Sequence, residues 1–122
     1  MKLIIEEDES AALELHLARG VTVATSRLAL VEVPRATKLA NPDFDAQQEA
    51  RRLLESCMLI DVSDRVLRAS AALTSRDVRT LDAIHLASAL RIGADEFVGY
   101  DRRLNRAAGE RGLAVAAPGA VH

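Results

Sequence analysis

Tryptophan does not occur in these 122 residues, and the aromatic side chains are three: Phe44, Phe97 and Tyr100. A core must therefore be built from Leu, Val, Ile and Ala. Stacking of bases on aromatic platforms is excluded as the main way of holding a single strand. The lone cysteine, Cys57, permits neither a disulfide framework nor a zinc site, and in its apolar run it reads as a buried, inert thiol. The apolar run Leu3-Ile4-Ile5 is far too short to cross a bilayer, and no secretory signal is present, so the cytoplasm is the expected location, with no membrane contact. Positive charge is not in surplus either. The formal net charge is −2, so nucleic acid would have to be met through local pairs such as Arg51-Arg52 and Arg102-Arg103, whose default reading is solvated surface.

What is present is ordinary for a globular chain: 49% apolar and 28% charged residues. The length suits one domain, 1–122, able to bury about two-thirds of its unfolded surface. No repeat, linker or low-complexity segment interrupts it.

The stretch from Thr80 to Leu104 organises the rest. Leu81, Ala83, Ile84, Leu86, Ala87, Ala89, Leu90 and Ile92 make a helix that is apolar on most sides and suited to burial between layers. Thr80 is placed to cap it, and Gly93 to end it. Asp95 to Tyr100 then reads as a strand. A helix of about 12 residues is roughly 18 Å long, and a strand of about six covers roughly 20 Å. The strand therefore returns to the level where the helix began. Asp82, in the first helical turn, and Asp101, just past the strand, fall at one edge of a sheet, where open α/β folds bind ligands. Singly, each has a structural reading. Asp82 can favour the positive helix start, and Asp101 can cap the next helix. Together they repel unless a cation or proton lies between them.

Elsewhere, an acidic run, Glu6 to Glu9, precedes a helical stretch with Leu13 and Leu17. His16 has no nearby partner in sequence. Val21 to Thr25 reads as a strand, and Ser26 as the cap of a helix from Arg27 to Ala40. Glu32 stands in that helix among Leu28, Ala29, Leu30, Val31 and Val33, and can lean toward the strand-end edge. Pro34 should kink or shorten the helix just after it. Asn41-Pro42-Asp43 opens a helix carrying Ala50, Leu53, Leu54 and Cys57. Met58 to Val62 is a strand. Ser63 caps a helix with Val66, Ala69 and Leu73. A helix from Arg102 and a strand from Leu113 to Ala116 close the chain. Strands alternating with helices predict an α/β domain with a mainly parallel central sheet flanked by helices. Glu32, Asp82 and Asp101 then form an oxygen-only set suited to Mg²⁺ or Mn²⁺, which serves phosphate chemistry. His85, three residues after Asp82, reads as a hydrogen-bonded packing histidine.

Glu32 in SRLALVEVPRA, Asp82 in LDAIHLASAL and Asp101 in VGYDRRLNRAAGERGL resemble the VapC-type toxins, which carry a PIN domain, and the resemblance spans nearly the whole chain. It implies a PIN-like fold and the toxin of a type II toxin–antitoxin system. It further implies a Mg²⁺-dependent endoribonuclease of structured RNA, a cognate antitoxin and a homodimer. The family's acidic residues map onto Glu32, Asp82 and Asp101. There are departures. The family pattern opens with a strand ending in a catalytic Asp, in a form like Tyr-Leu-Asp-Thr-Ser-Ala-Leu-Val-Lys-Leu. Met1-Lys2-Leu3 stands where that pattern has Val-Lys-Leu. The first strand and first acid are thus expected to be missing from the written sequence, as if its start were too late. Low stability and weak activity follow, and Glu6 to Glu9 are not expected to replace the lost ligand. Gly99 stands where relatives often carry a hydroxyl residue. The alternative is a catalytically impaired PIN-like binding module, or a truncated toxin that only binds its partner. A receiver-like phospho-acceptor domain would need a lysine late in the chain, and the lysines are Lys2 and Lys38. A plain dimeric scaffold leaves the three acids unexplained.

Overall fold

The computed structural model describes residues 2–4, 20, 22–40, 43–73, 76, 78–98 and 101–116, with 2–4, 98 and 116 as backbone only. Its strands are β1 (Lys2–Ile4), β2 (Val23–Ser26), β3 (Met58–Ile60), β4 (Glu96–Val98) and β5 (Ala114–Ala116). Its helices are α1 (Ala29–Ala40), α2 (Phe44–Glu55), α3 (Asp64–Ala72), α4 (Thr80–Arg91) and α5 (Arg102–Glu110). The strands form one parallel sheet in the order β3-β2-β1-β4-β5. The expected α/β architecture is present.

One expectation is overturned. The central place in the sheet is filled: Lys2–Ile4 pairs with β2 through Lys2↔Val23 and Leu3↔Ala24, and with β4 through Leu3↔Phe97 and Ile4↔Val98. The slot offers parallel hydrogen bonds on both sides, and the Leu3-Ile4 segment suits such a strand. The acidic run from Glu6 to Glu9, His16 and the helical stretch with Leu13 and Leu17 lie outside the described residues, as does Gly99.

From β1 the chain steps to β2 and β3 on one side, then crosses to β4 and β5 on the other. The order reverses beside β1, and the crevice outside the strands' carboxyl ends at such a reversal is the ligand site of open parallel sheets. The core forms around α4, whose residues Ala83 to Ala89 are all buried. This helix packs on β2 and α3. Phe97, fully buried, gathers Leu86, Leu104, Ala24, Ile60 and the small side chains Ala89, Ala107 and Ala108. Val66, Ile84 and Ala87 form a second cluster. With one large ring at the centre, alanines let the helices close on it, and removing that ring would cost about 3–5 kcal/mol.

Several helix ends follow the sequence rules. Ser63 accepts from the Val66 amide at 3.3 Å, and Asp43 accepts from the Asp45 amide at 3.3 Å. Gly93 adopts φ 63°, a left-handed value that suits glycine. Two differ. Residue 79, not Thr80, occupies the cap position of α4, with extended backbone and no side-chain cap bond, because the chain turns helical one residue earlier than expected. Pro34 lies inside α1 without ending it. The hydrogen bond it forgoes would have gone to the carbonyl of Leu30, and that residue is exposed, so water can serve there. Ser26 ends β2, and its hydroxyl accepts from the Leu28 amide at 3.2 Å at the turn into α1. Cys57 is half-buried: burial pushes its thiol up, and the thiol donates to the Leu53 carbonyl at 3.2 Å. That is the inert behaviour its setting predicts.

Candidate active site

Helix α4 runs back along the sheet, so its first turn lies at the carboxyl ends of the strands. Asp82 sits in that turn. Asp101 follows β4 at the same level, and its Oδ1 accepts from the amides of Arg103 at 2.9 Å and Leu104 at 3.2 Å. The capping role expected of Asp101 is therefore real, and it also fixes the carboxylate in space. One oxygen is committed to the start of α5. Asp82 and Asp101 line one cleft of about 430 Å³ together with Arg79, Arg102 and Arg103.

Burial raises the Asp82 carboxyl above its ordinary value, and the negative charge of Asp101 raises it further. The His85 ring and the Arg79 guanidinium oppose the rise, while Glu32 adds to it. Asp101 and Glu32 thus each lie within electrostatic range of Asp82. Glu32 does not line the cleft itself. It reaches across from α1 to His85, whose Nε2 lies 2.5 Å from Glu32 Oε1. A carboxylate oxygen can only accept, so Nε2 carries the hydrogen. His85 is buried and hydrogen-bonded, as expected. Its partner was not expected, since 53 positions separate the two residues. The one available signal was the i, i+3 spacing that puts His85 on the Asp82 side of α4.

Of the two arginine pairs marked in the sequence, Arg102-Arg103 lies at the cleft. Arg51-Arg52 lies on α2, where Arg51 Nε stands 3.5 Å from Glu55 Oε1. Arg79 completes the basic lining. Among the described residues no group of three or more His, Cys, Asp or Glu side chains is already gathered as a metal cage. The donor chemistry nevertheless fits a hard divalent cation. The donors are carboxylate oxygens, the ligand type such an ion takes. Magnesium keeps much of its water and is held by one or two carboxylates together with substrate phosphates, so a closed cage is not required. No helix among the described residues is long and apolar enough to cross a membrane.

The chain is a parallel α/β domain with two acids at its switch point, and comparison with known proteins places it in a family. The PIN domain family matches residues 2–110. Ribonuclease VapC46 of Mycobacterium tuberculosis (strain ATCC 25618 / H37Rv) is 41% identical over 120 residues, covering 97% of this chain and 91% of the relative. Ribonuclease VapC47 of Mycobacterium tuberculosis (strain CDC 1551 / Oshkosh) is 35% identical over 126 residues, covering 98% and 92%. Among solved structures, VapBC2 from Rickettsia felis, bound to a DNA fragment from its promoter, is similar with a TM-score of 0.68 at 16% identity, covering 95% of this chain and 98% of that one. A toxin–antitoxin complex from Klebsiella pneumoniae gives a TM-score of 0.56 at 19% identity, covering 83% and 87%. The chain belongs to the PIN-domain family and, within it, to the VapC type. The receiver-like reading falls with that result.

Proposed function

We propose that this protein is the toxin of a toxin–antitoxin pair and that it hydrolyses RNA at the cleft between α4 and α5. The observation that carries the proposal is the lining of that cleft: two carboxylates and three arginines at the reversal point of a parallel sheet. The names of the VapC relatives support the reaction class. Asp82 and Asp101, with Glu32 beside them, would hold Mg²⁺, or Mn²⁺ in its place. When bound, the ion supplies Lewis acidity that activates water and offsets charge developing at phosphorus. The chain's own part is positional. Capping of α5 orients Asp101, and Arg79, Arg102 and Arg103, which line the same cleft, would meet phosphates of the bound strand. With a net charge of −2, the molecule has no general attraction for RNA, so this local lining must supply it.

The cognate antitoxin is the expected protein partner, in keeping with the titles of the similar complexes. Apolar side chains stand exposed on α1 and α2, Leu39 at 82% and Phe44 at 67%, and we take them as part of the antitoxin's contact surface. A homodimer and a cytoplasmic location complete the proposal.

The test is Asp82→Ala. It should reduce Mg²⁺-dependent RNA cleavage to background while circular dichroism stays native, and unchanged cleavage would refute the assignment. The absence of a gathered metal cage among the described residues favours one rival, a PIN-like module that binds without cutting. Calorimetric titration of the wild-type chain with Mn²⁺ separates the two, because the rival gives no heat of binding.

A further inference from the structure

His85 is 1% exposed, and among the described residues its Nδ1 meets no hydrogen-bond partner. A buried polar atom left without a partner costs about 1–3 kcal/mol. The ring sits in the middle of α4, between Ile84 and Leu86 in the most apolar part of the molecule. On stability alone a leucine would serve this position better. The ring's one recorded bond is to Glu32, and Glu32 is itself four-fifths covered, with its side chain 20% exposed. Glu32 extends from α1, the element that also carries Pro34. A glutamate has three rotatable bonds, and confining them loses entropy that a fixed donor offsets.

The geometry points to His85 as a positioning residue for the cation site: its Nε2–H holds Glu32 by Oε1, leaving Oε2 as the oxygen for the cation. This rests on the reading of Glu32, Asp82 and Asp101 as the cation-holding set. Ligating carboxylates are commonly held in this way by a second hydrogen bond, and loss of such a bond typically weakens metal affinity about 10–100-fold. It accounts for a polar ring at a buried position that an apolar side chain could fill without leaving Nδ1 unpaired among the described residues. It also accounts for its place one helical turn from Asp82, where a single rigid helix sets the spacing between one ligand and the support of another.

The probe is Mn²⁺ alone, titrated by calorimetry into the full chain, with thermal melting of each variant alongside. His85→Gln carries an amide N–H at nearly the reach of Nε2, His85→Asn is polar but too short to touch Glu32, and His85→Leu removes the donor. Mn²⁺ should bind His85→Gln within a few-fold of wild type, and His85→Asn and His85→Leu roughly 10–100-fold more weakly. Melting of His85→Leu should be no lower than that of His85→Asn. Equal Mn²⁺ affinity in the glutamine and asparagine variants overturns the proposal, even if the leucine variant does not fold. Loss of Mn²⁺ binding in Glu32→Gln with none in any His85 variant also overturns it, and leaves the cation reading intact. If Glu32→Gln and Asp82→Asn both bind Mn²⁺ like wild type, the cation reading fails first, and the role of His85 with it.

Discussion

The arginines of the cleft permit a quantitative test of RNA binding that does not depend on catalysis. Arg79, Arg102 and Arg103 line the same cleft as Asp82 and Asp101. If each neutralises one phosphate of a single-stranded segment, each should contribute about −0.7 to the slope of log affinity against log salt, and the three together about −2. Raising salt fourfold, from about 50 to about 200 mM, should then weaken the wild-type complex roughly twentyfold through these contacts alone. The triple Ala variant should lose that dependence along with affinity. The assay is fluorescence anisotropy of a labelled RNA, in an Asp82→Ala background so that the probe survives. Removing three cations also makes the whole chain more acidic, so the control is Arg51→Ala with Arg52→Ala, which takes two cations from α2. The control should keep the wild-type slope. A triple variant with an unchanged slope, or a control that lowers the slope as much per charge, would refute a local phosphate-binding cleft.

Three further outcomes follow from the site. Asp82→Asn should melt higher than wild type at neutral pH, with the gap closing near about pH 3. A raised carboxyl disfavours its charged form in the fold, so wild-type stability falls as pH climbs from the ordinary value of 3.8 through the raised one. Melting curves at both pH values check the sign, and a gap that is widest in acid contradicts it. Asp101→Ser should keep the cap of α5, lose a carboxylate and so lose cleavage, while Asp101→Ala should also lose about 1 kcal/mol of stability in chemical denaturation. Phe44→Glu should weaken antitoxin capture by about 2 kcal/mol, roughly thirtyfold by surface plasmon resonance, with RNA cleavage by the free toxin unaffected.

The order of elements and the level at which the acids meet were legible because they depend on local signals. The all-round apolarity of α4, the glycine that ends it and the length of the strand after it are enough to bring Asp82 and Asp101 to one edge. The capping role of Asp101 is legible for the same reason. Three features were not. The strand at Lys2–Ile4 is three residues long, and its stability comes from neighbours on both sides rather than from its own propensity. Pro34 is tolerated within α1 because the carbonyl it leaves unpaired belongs to an exposed residue, and the sequence does not display exposure. The Glu32–His85 bond joins residues 53 apart, and no periodicity encodes a contact between separate helices. The arginine lining is an intermediate case: Arg102-Arg103 is a visible pair, but only the fold brings Arg79 beside it.

The middle of the sheet also dictates when this molecule can first be whole. Leu3 is paired with Phe97, so the central strand joins segments far apart in the sequence. The strand Lys2–Ile4 must therefore wait for β4 to be made before both its edges are bonded. Such distant parallel pairing is slow to nucleate, since the long loop must close before any contact rewards it. A chain made only as far as α3 has neither β4 nor the residues that line the cleft, so the middle of the sheet and the cleft become complete together.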